Sequence, residues 1–152
     1  MTVVAHGRTD VLADTLVGIT NGSTTVWGNP YYLYLSNLQA GDIIQVFADI
    51  EAENTATYNV EFATQVLLTS SWVPNNVNSI AASHILLPIN GYNVDQAEHY
   101  YSETRAASYQ LPVALTDAVM QFRLRTRSSA ATGGQNALFK PGQGFLSYTV
   151  LR

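Results

Sequence analysis

Apolar and polar residues alternate at period two along much of this chain, the pattern of strands that turn one face to a core and the other outward. Residues 43–53 show it most clearly, with Ile44, Val46, Ala48 and Ile50 on one side. Residues 58–69 repeat it through Tyr58, Val60, Phe62, Thr64, Val66 and Leu68, and residues 118–127 alternate Met120, Phe122 and Leu124 with Gln121, Arg123 and Arg125. Residues 142–151 form a closing strand in which Leu146, Tyr148 and Val150 oppose Phe145, Ser147 and Thr149. Turn chemistry separates these runs: Gln39-Ala40-Gly41-Asp42 precedes the first and Asn54-Thr55-Ala56 follows it. Residues 31–38 follow Asn29-Pro30, where a proline suits the start of a strand better than its middle.

The remaining segments carry weaker patterns. Residues 11–20 predict a strand closed by Asn21-Gly22-Ser23, and residues 84–89 a short one ended by Asn90-Gly91. Residues 97–101 and 108–113 are the faintest candidates. Pro74, Asn75, Asn76 and Asn78 mark residues 70–83 as a long loop, a kind of segment that often carries function. Residues 128–135 read as a small-residue linker. Residues 1–10 read as an N-terminal arm, anchored by Val3 and Val4 and hinged at Gly7, that orders against a neighbour. Residues 11–152 then form a single domain. Eight or nine strands with no helical stripe predict an all-β fold of two packed antiparallel sheets. A jelly roll is the first choice. An immunoglobulin-like sandwich comes second, because the Cys, Trp, Cys spacing is missing.

Composition changes this picture in one respect. Of 152 residues only 12% are charged, there is a single lysine, Lys140, and there is no cysteine, yet there are nine tyrosines. Globular proteins commonly devote about a quarter of their residues to charge. Such a surface is suited to facing other protein, so the chain reads as a subunit of an assembly. A net charge of −4 argues against nucleic acid, whose phosphates are bound by clustered Lys and Arg. The longest apolar runs fall far short of the roughly twenty residues that span a bilayer, and the N-terminus lacks a signal-peptide pattern, so a soluble product made in the cytoplasm is expected.

Two rows of like charge stand out. Asp49, Glu51 and Glu53 share one face of a strand, and Arg123, Arg125 and Arg127 share one face of another, each at a spacing of about 7 Å. Either both are solvated outer faces, or the rows meet, within one sheet or across a subunit interface where they would set register. A polyanion on the Arg row is a third reading. His6, His84 and His99 match no metal-ligand spacing, so neither a metal nor any other cofactor is expected. A nucleophile elbow and a phosphate loop are both absent, so no catalytic residue is assigned. The sequon Asn21-Gly22-Ser23 is expected to go unused.

The aromatic residues supply the other functional signal. Tyr31, Tyr32 and Tyr34, the pair Tyr100-Tyr101, and Trp27, Trp72, Tyr92 and Tyr109 exceed what one small core can hold with every hydroxyl satisfied. Tyr and Trp serve protein interfaces and sugar-stacking platforms. Tyr31, Tyr32 and Tyr34, together with Val3, Val4 and the two charge rows, are the interface candidates; Trp72 and Tyr92 are the candidates for stacking a carbohydrate.

The segment Leu138-Phe-Lys-Pro-Gly-Gln-Gly-Phe145-Leu-Ser-Tyr148 resembles the closing strand of the tumour-necrosis-factor and complement-head jelly rolls. Leu38-Gln-Ala-Gly-Asp42-Ile-Ile-Gln-Val46 and Glu53-Asn-Thr-Ala-Thr-Tyr-Asn-Val60 resemble the small jelly-roll decoration or cement proteins of tailed-bacteriophage virions. The second resemblance implies a homo-oligomer, a trimer in preference to a dimer, on the outer surface of a virus shell with the major capsid protein as partner. It implies no catalytic residues.

Overall fold

A computed structural model describes residues 1–10, 15–18, 20–21, 26–54, 60–73, 84–94, 100–128, 136–139 and 144–152. The described residues form strands β1 (Val3–Asp10), β2 (Thr15–Gly18), β3 (Thr20–Asn21), β4 (Val26–Leu38), β5 (Ile43–Asn54), β6 (Val60–Thr69), β7 (His84–Val94), β8 (Tyr100–Gln110), β9 (Leu115–Ser128), β10 (Asn136–Phe139) and β11 (Phe145–Leu151). They stack as two sheets. In the first, β5 pairs with β8 on one side and with β11 and then β10 on the other, while β1 extends β11 and β2 extends β10. In the second, β9 lies between β6 and β4, β7 flanks β6, and the two-residue β3 runs parallel to the end of β9.

β1 with β2, and β10 with β11, each fill one sheet position in the same direction, and with the two-residue parallel β3 set aside this leaves two sheets of four strands. Counted that way in chain order, the sheets read first-eighth-third-sixth and second-seventh-fourth-fifth. This interleaving is the jelly roll, and the expected fold class holds. The core between the sheets is apolar, with Ile44, Leu68, Leu111, Met120, Leu146 and Val150 fully buried. Inward positions are even on β5 and β9 and odd on β8, so the period-two pattern read from the sequence maps onto the core face.

Four local expectations are corrected. Residues 3–10 are not an arm but strand β1, paired antiparallel to β11 from Val3↔Leu151 to Asp10↔Phe145; the Thr2 and Arg152 amides also donate to each other's carbonyls. Gly7 is therefore no hinge. It leaves room for the Tyr148 ring, which an added Cβ would meet at 2.6 Å, and burial of Tyr148 raises its phenol pKa. Pro30 lies inside β4, where the register shifts between Gly28 and Tyr31; β4 is an edge strand, so a missing N–H there costs no ladder bond. Strand β7 runs on through Asn90-Gly91 to Val94, with register shifts around Pro88. The two faint segments at 97–101 and 108–113 give way to one strand, β8, whose bounds match neither.

Strand β8 was hard to see because two of its inward positions, ahead of Ala107 and Tyr109, are charged. Glu103 and Arg105 point into the sandwich 3.4 Å apart. The Glu103 carboxylate accepts from Thr64 Oγ1 at 2.8 Å and from Asn90 Nδ2 at 3.1 Å. Arg105 donates to the Thr64 carbonyl and hydroxyl, each at 3.1 Å, and to the Pro88 carbonyl at 2.6 Å. Further along, Tyr109 Oη and His84 Nδ1 lie 2.9 Å apart. These ties join β8 of the first sheet to β6 and β7 of the second and close that side of the sandwich.

The end of the sandwich beyond Tyr109 is closed by an ion pair. Asp42, buried in the turn between β4 and β5, is held bidentately by Arg152 at 2.8 and 2.9 Å and accepts from the Gln39 amide at 2.8 Å. The turn needs Gly41 at φ 92°, a left-handed conformation suited to glycine. The Arg152 hydrogen bonds are the main reason that the Asp42 carboxyl lies below its ordinary pKa, and they outweigh the opposing effect of burial.

Candidate interaction surface

The two outward faces of the sandwich differ in chemistry. On the second sheet, Tyr32 and Tyr34 project outward from β4 because the neighbouring odd positions turn Leu33 and Leu35 inward. Tyr34 is 72% exposed and Tyr32 45%. Trp72, 43% exposed, comes from the segment after β6 and meets Tyr32 edge-on, with ring centroids 5.1 Å apart; Tyr34 meets the other side of Tyr32 at 5.7 Å. The three rings form one exposed aromatic knob. Val73 secures that segment: its amide donates to Gln121 Oε1 at 2.7 Å, and Gln121 Nε2 donates back to the Val73 carbonyl at 3.0 Å.

Burial on this face changes the meaning of the Arg row. Arg123 sits on the outward face of β9, yet it is fully buried along with Val119 and Gln121. Its pKa is lowered to about 10 by burial. Arg123 is therefore neither a solvated charge nor a free interface residue. The acidic row is on β5 of the first sheet and the Arg row on β9 of the second, and the two strands share no neighbour. The rows do not meet within a sheet. Asp49 instead accepts from Thr104 Oγ1 at 2.9 Å, and Glu51 and Glu53 follow opposite Ser102 and Tyr100. Arg125 and Arg127 stand opposite Ala63 and Glu61.

The first sheet carries a different outward face. Phe47 stacks on Phe145, with centroids 5.5 Å apart and planes 10° from parallel; the Arg8 guanidinium lies 4.0 Å from the Phe145 ring centre and pairs with Asp10. Beside this ridge lies a shallow trough of about 390 Å³, floored by Ala106 and Ser108 of β8 and Ser147 of β11 and flanked by Gln45 and Phe47 of β5. Sequence reasoning missed both features. The trough carries no signal of its own, since Ala and Ser at alternate positions of β8 read as an indifferent strand. The Arg8/Asp10 pair is visible as opposite charges two apart once residues 3–10 are taken as a strand.

The other candidates fall as follows. Val3 and Val4 are exposed on β1, an edge strand. Tyr31 pairs with Phe122 and Tyr92 with Phe62 in the strand ladders. His6 is exposed on β1, His84 is engaged by Tyr109, and His99 and Lys140 lie outside the described residues, as do Gly22 and Ser23 of the sequon. Among the described residues no group of three His, Asp or Glu could hold a metal ion.

No family model and no curated protein matches the sequence. Solved structures do match in fold. A chain of the infectious bursal disease virus Gx strain superposes with a TM-score of 0.64 at 8% identity, covering 95% of this chain and 32% of that one. The VP2 subviral particle of infectious bursal disease virus gives 0.57 at 8% identity over 95% and 32%, and the T13 IBDV viral particle 0.61 at 11% over 95% and 30%. This chain thus spans about a third of the length of those it matches. At such identities the likeness is one of fold. The Eiger TNF structure from S. frugiperda overlays at a TM-score of 0.45 with 14% identity, and no argument rests on it.

Proposed function

We propose that this chain is a non-enzymatic virion structural protein, a jelly-roll subunit that self-associates and decorates the outer surface of a phage capsid, clamping neighbouring capsomers. The exposed aromatic knob of Tyr32, Tyr34 and Trp72 carries the reading, because three large rings left in water on a chain with so few charges are best accounted for by a protein partner. The shared fold with chains of virus particles supports it. The mechanism is mass action: many copies bind only the assembled shell and so stabilise it over its free subunits. The sequence-level preference for a trimer belongs to this proposal, with the major capsid protein as partner and the virion surface as location. The test is titration of purified protein onto empty shells. Saturable binding that raises the shell's melting temperature is expected, and absence of binding at micromolar concentration refutes the reading.

A second reading has its own observation. Trp72 presents a ring edge-on to Tyr32 at an exposed position, an arrangement that can also stack a sugar. A carbohydrate-binding module of a host-attachment fibre would show glycan binding by the isolated chain and lose it on Trp72→Ala.

A further inference from the structure

We infer that the folded chain joins Thr64 of β6 to Asn90 of β7 in an ester cross-link, with Glu103 as the base. The inference goes beyond the virion reading and does not depend on it. Thr64 is fully buried and stands opposite Asn90 in the ladder between the two strands. Glu103 reaches both from the facing sheet with one carboxylate oxygen each: Oε2 accepts from Thr64 Oγ1 at 2.8 Å, and Oε1 accepts from Asn90 Nδ2 at 3.1 Å.

This trio holds a nucleophile, a base and a leaving group in order. A hydroxyl becomes a nucleophile when a base within about 2.6–3.2 Å can take its proton, and Glu103 Oε2 stands so placed. Arg105 Nη1 donates to the same hydroxyl at 3.1 Å, so the oxygen that loses the proton faces a cation. A carboxylate only accepts hydrogen bonds, so the nitrogen of the Asn90 amide, and not its oxygen, is turned toward Glu103. Thr64 Oγ1 attacks Asn90 Cγ as its proton passes to Glu103. The amide C–N bond then breaks, Glu103 gives the proton to Nδ2, and ammonia leaves. One C–O bond replaces one C–N bond, Glu103 ends as the carboxylate it began as, and nothing is oxidised or reduced.

Reach and dryness suit the step. The bridge from Cβ through Oγ and Cγ to Cβ spans about as far as a disulfide, roughly 3.8 Å, and opposite residues of an antiparallel pair start about 4.5–5.5 Å apart, so a shift of about 1 Å closes it. Glu103 is only 7% exposed, which keeps water from competing for the amide. The structure shows the reactant state, in which both hydrogen bonds stand.

Intact mass of the purified, denatured chain is the test. Wild type should be lighter than its sequence by one ammonia, and Thr64→Ser, which keeps the hydroxyl, should show the same loss. Thr64→Val and Glu103→Gln should each run at full sequence mass, with a thermal melt confirming that they fold. A chymotryptic digest of wild type should join the segment around Thr64 to that around Asn90, and mild alkali should part them, leaving Asp at position 90. Wild type at full sequence mass overturns the proposal. So does a loss that persists in Thr64→Val or maps to Asn90-Gly91 alone, since attack by the Gly91 amide nitrogen also expels ammonia. The readout is mass, so its failure leaves shell binding standing, and the reverse.

Discussion

Removing the Glu103 carboxylate is the sharpest test of how the sandwich is held shut. Glu103→Ala takes away the acceptor of Thr64 Oγ1 and Asn90 Nδ2 and the ion partner of Arg105, whose side chain is only 14% exposed. Deleting one member of a buried charge pair typically costs about 3–5 kcal/mol, because the remaining charge is stranded. Arg105 keeps the Thr64 and Pro88 carbonyls as acceptors, which puts the expected loss near the lower end, about 3 kcal/mol. For a chain of this size that lowers the melting temperature by roughly 6–12 °C. Urea unfolding should show the midpoint falling with an unchanged slope. The double variant Glu103→Leu with Arg105→Met should recover most of the loss, since an apolar pair of similar volume can replace a buried ion pair. A single-variant cost under about 0.5 kcal/mol, the range of ordinary surface changes, would show that the inter-sheet network does not bear on stability.

Other outcomes follow from the same structure. Gly7→Ala should destabilise by about 1–3 kcal/mol because its Cβ would stand 2.6 Å from the Tyr148 ring, and pairing it with Tyr148→Leu should relieve most of the loss in a thermal melt. Deleting residues 1–10 should lower the melting midpoint sharply, since it strips β1 from β11; an unchanged melt would restore the arm. The lowered pKa of Asp42 means that its contribution is fully present above the ordinary value of 3.8 and is lost as pH falls through the lower, folded value. Asp42→Asn should therefore flatten the acid limb of a stability-against-pH curve and leave its alkaline limb unchanged. Reversing Asp49 to Lys together with Arg125 to Glu should give additive effects on the melt of the dilute, unassociated chain, because β5 and β9 lie in different sheets, whereas rescue of association by the double reversal would show that the rows meet across an interface between copies.

The all-β class, the strands β5, β6, β9 and β11 and the turn at Gln39–Asp42 were legible because each depends on local rules. A period-two pattern reports which side of a strand is dry, and Gly41-Asp42 reports a turn, whatever surrounds them. Strand β8 was not legible, because the ions Glu103 and Arg105 occupy its inward positions and are tolerable there only through Thr64, Asn90 and Pro88 of the opposite sheet. The role of residues 3–10 depended on whether the far end of the chain left β11 open as a template. Arg123 reads in sequence like any outward strand charge, and only the folded structure shows that it is buried together with its neighbours Val119 and Gln121. The surplus of tyrosine announced that rings would remain outside the core. Which rings they are, and that they gather on the face opposite the trough, was decided by strands paired across long stretches of sequence, which no local pattern encodes.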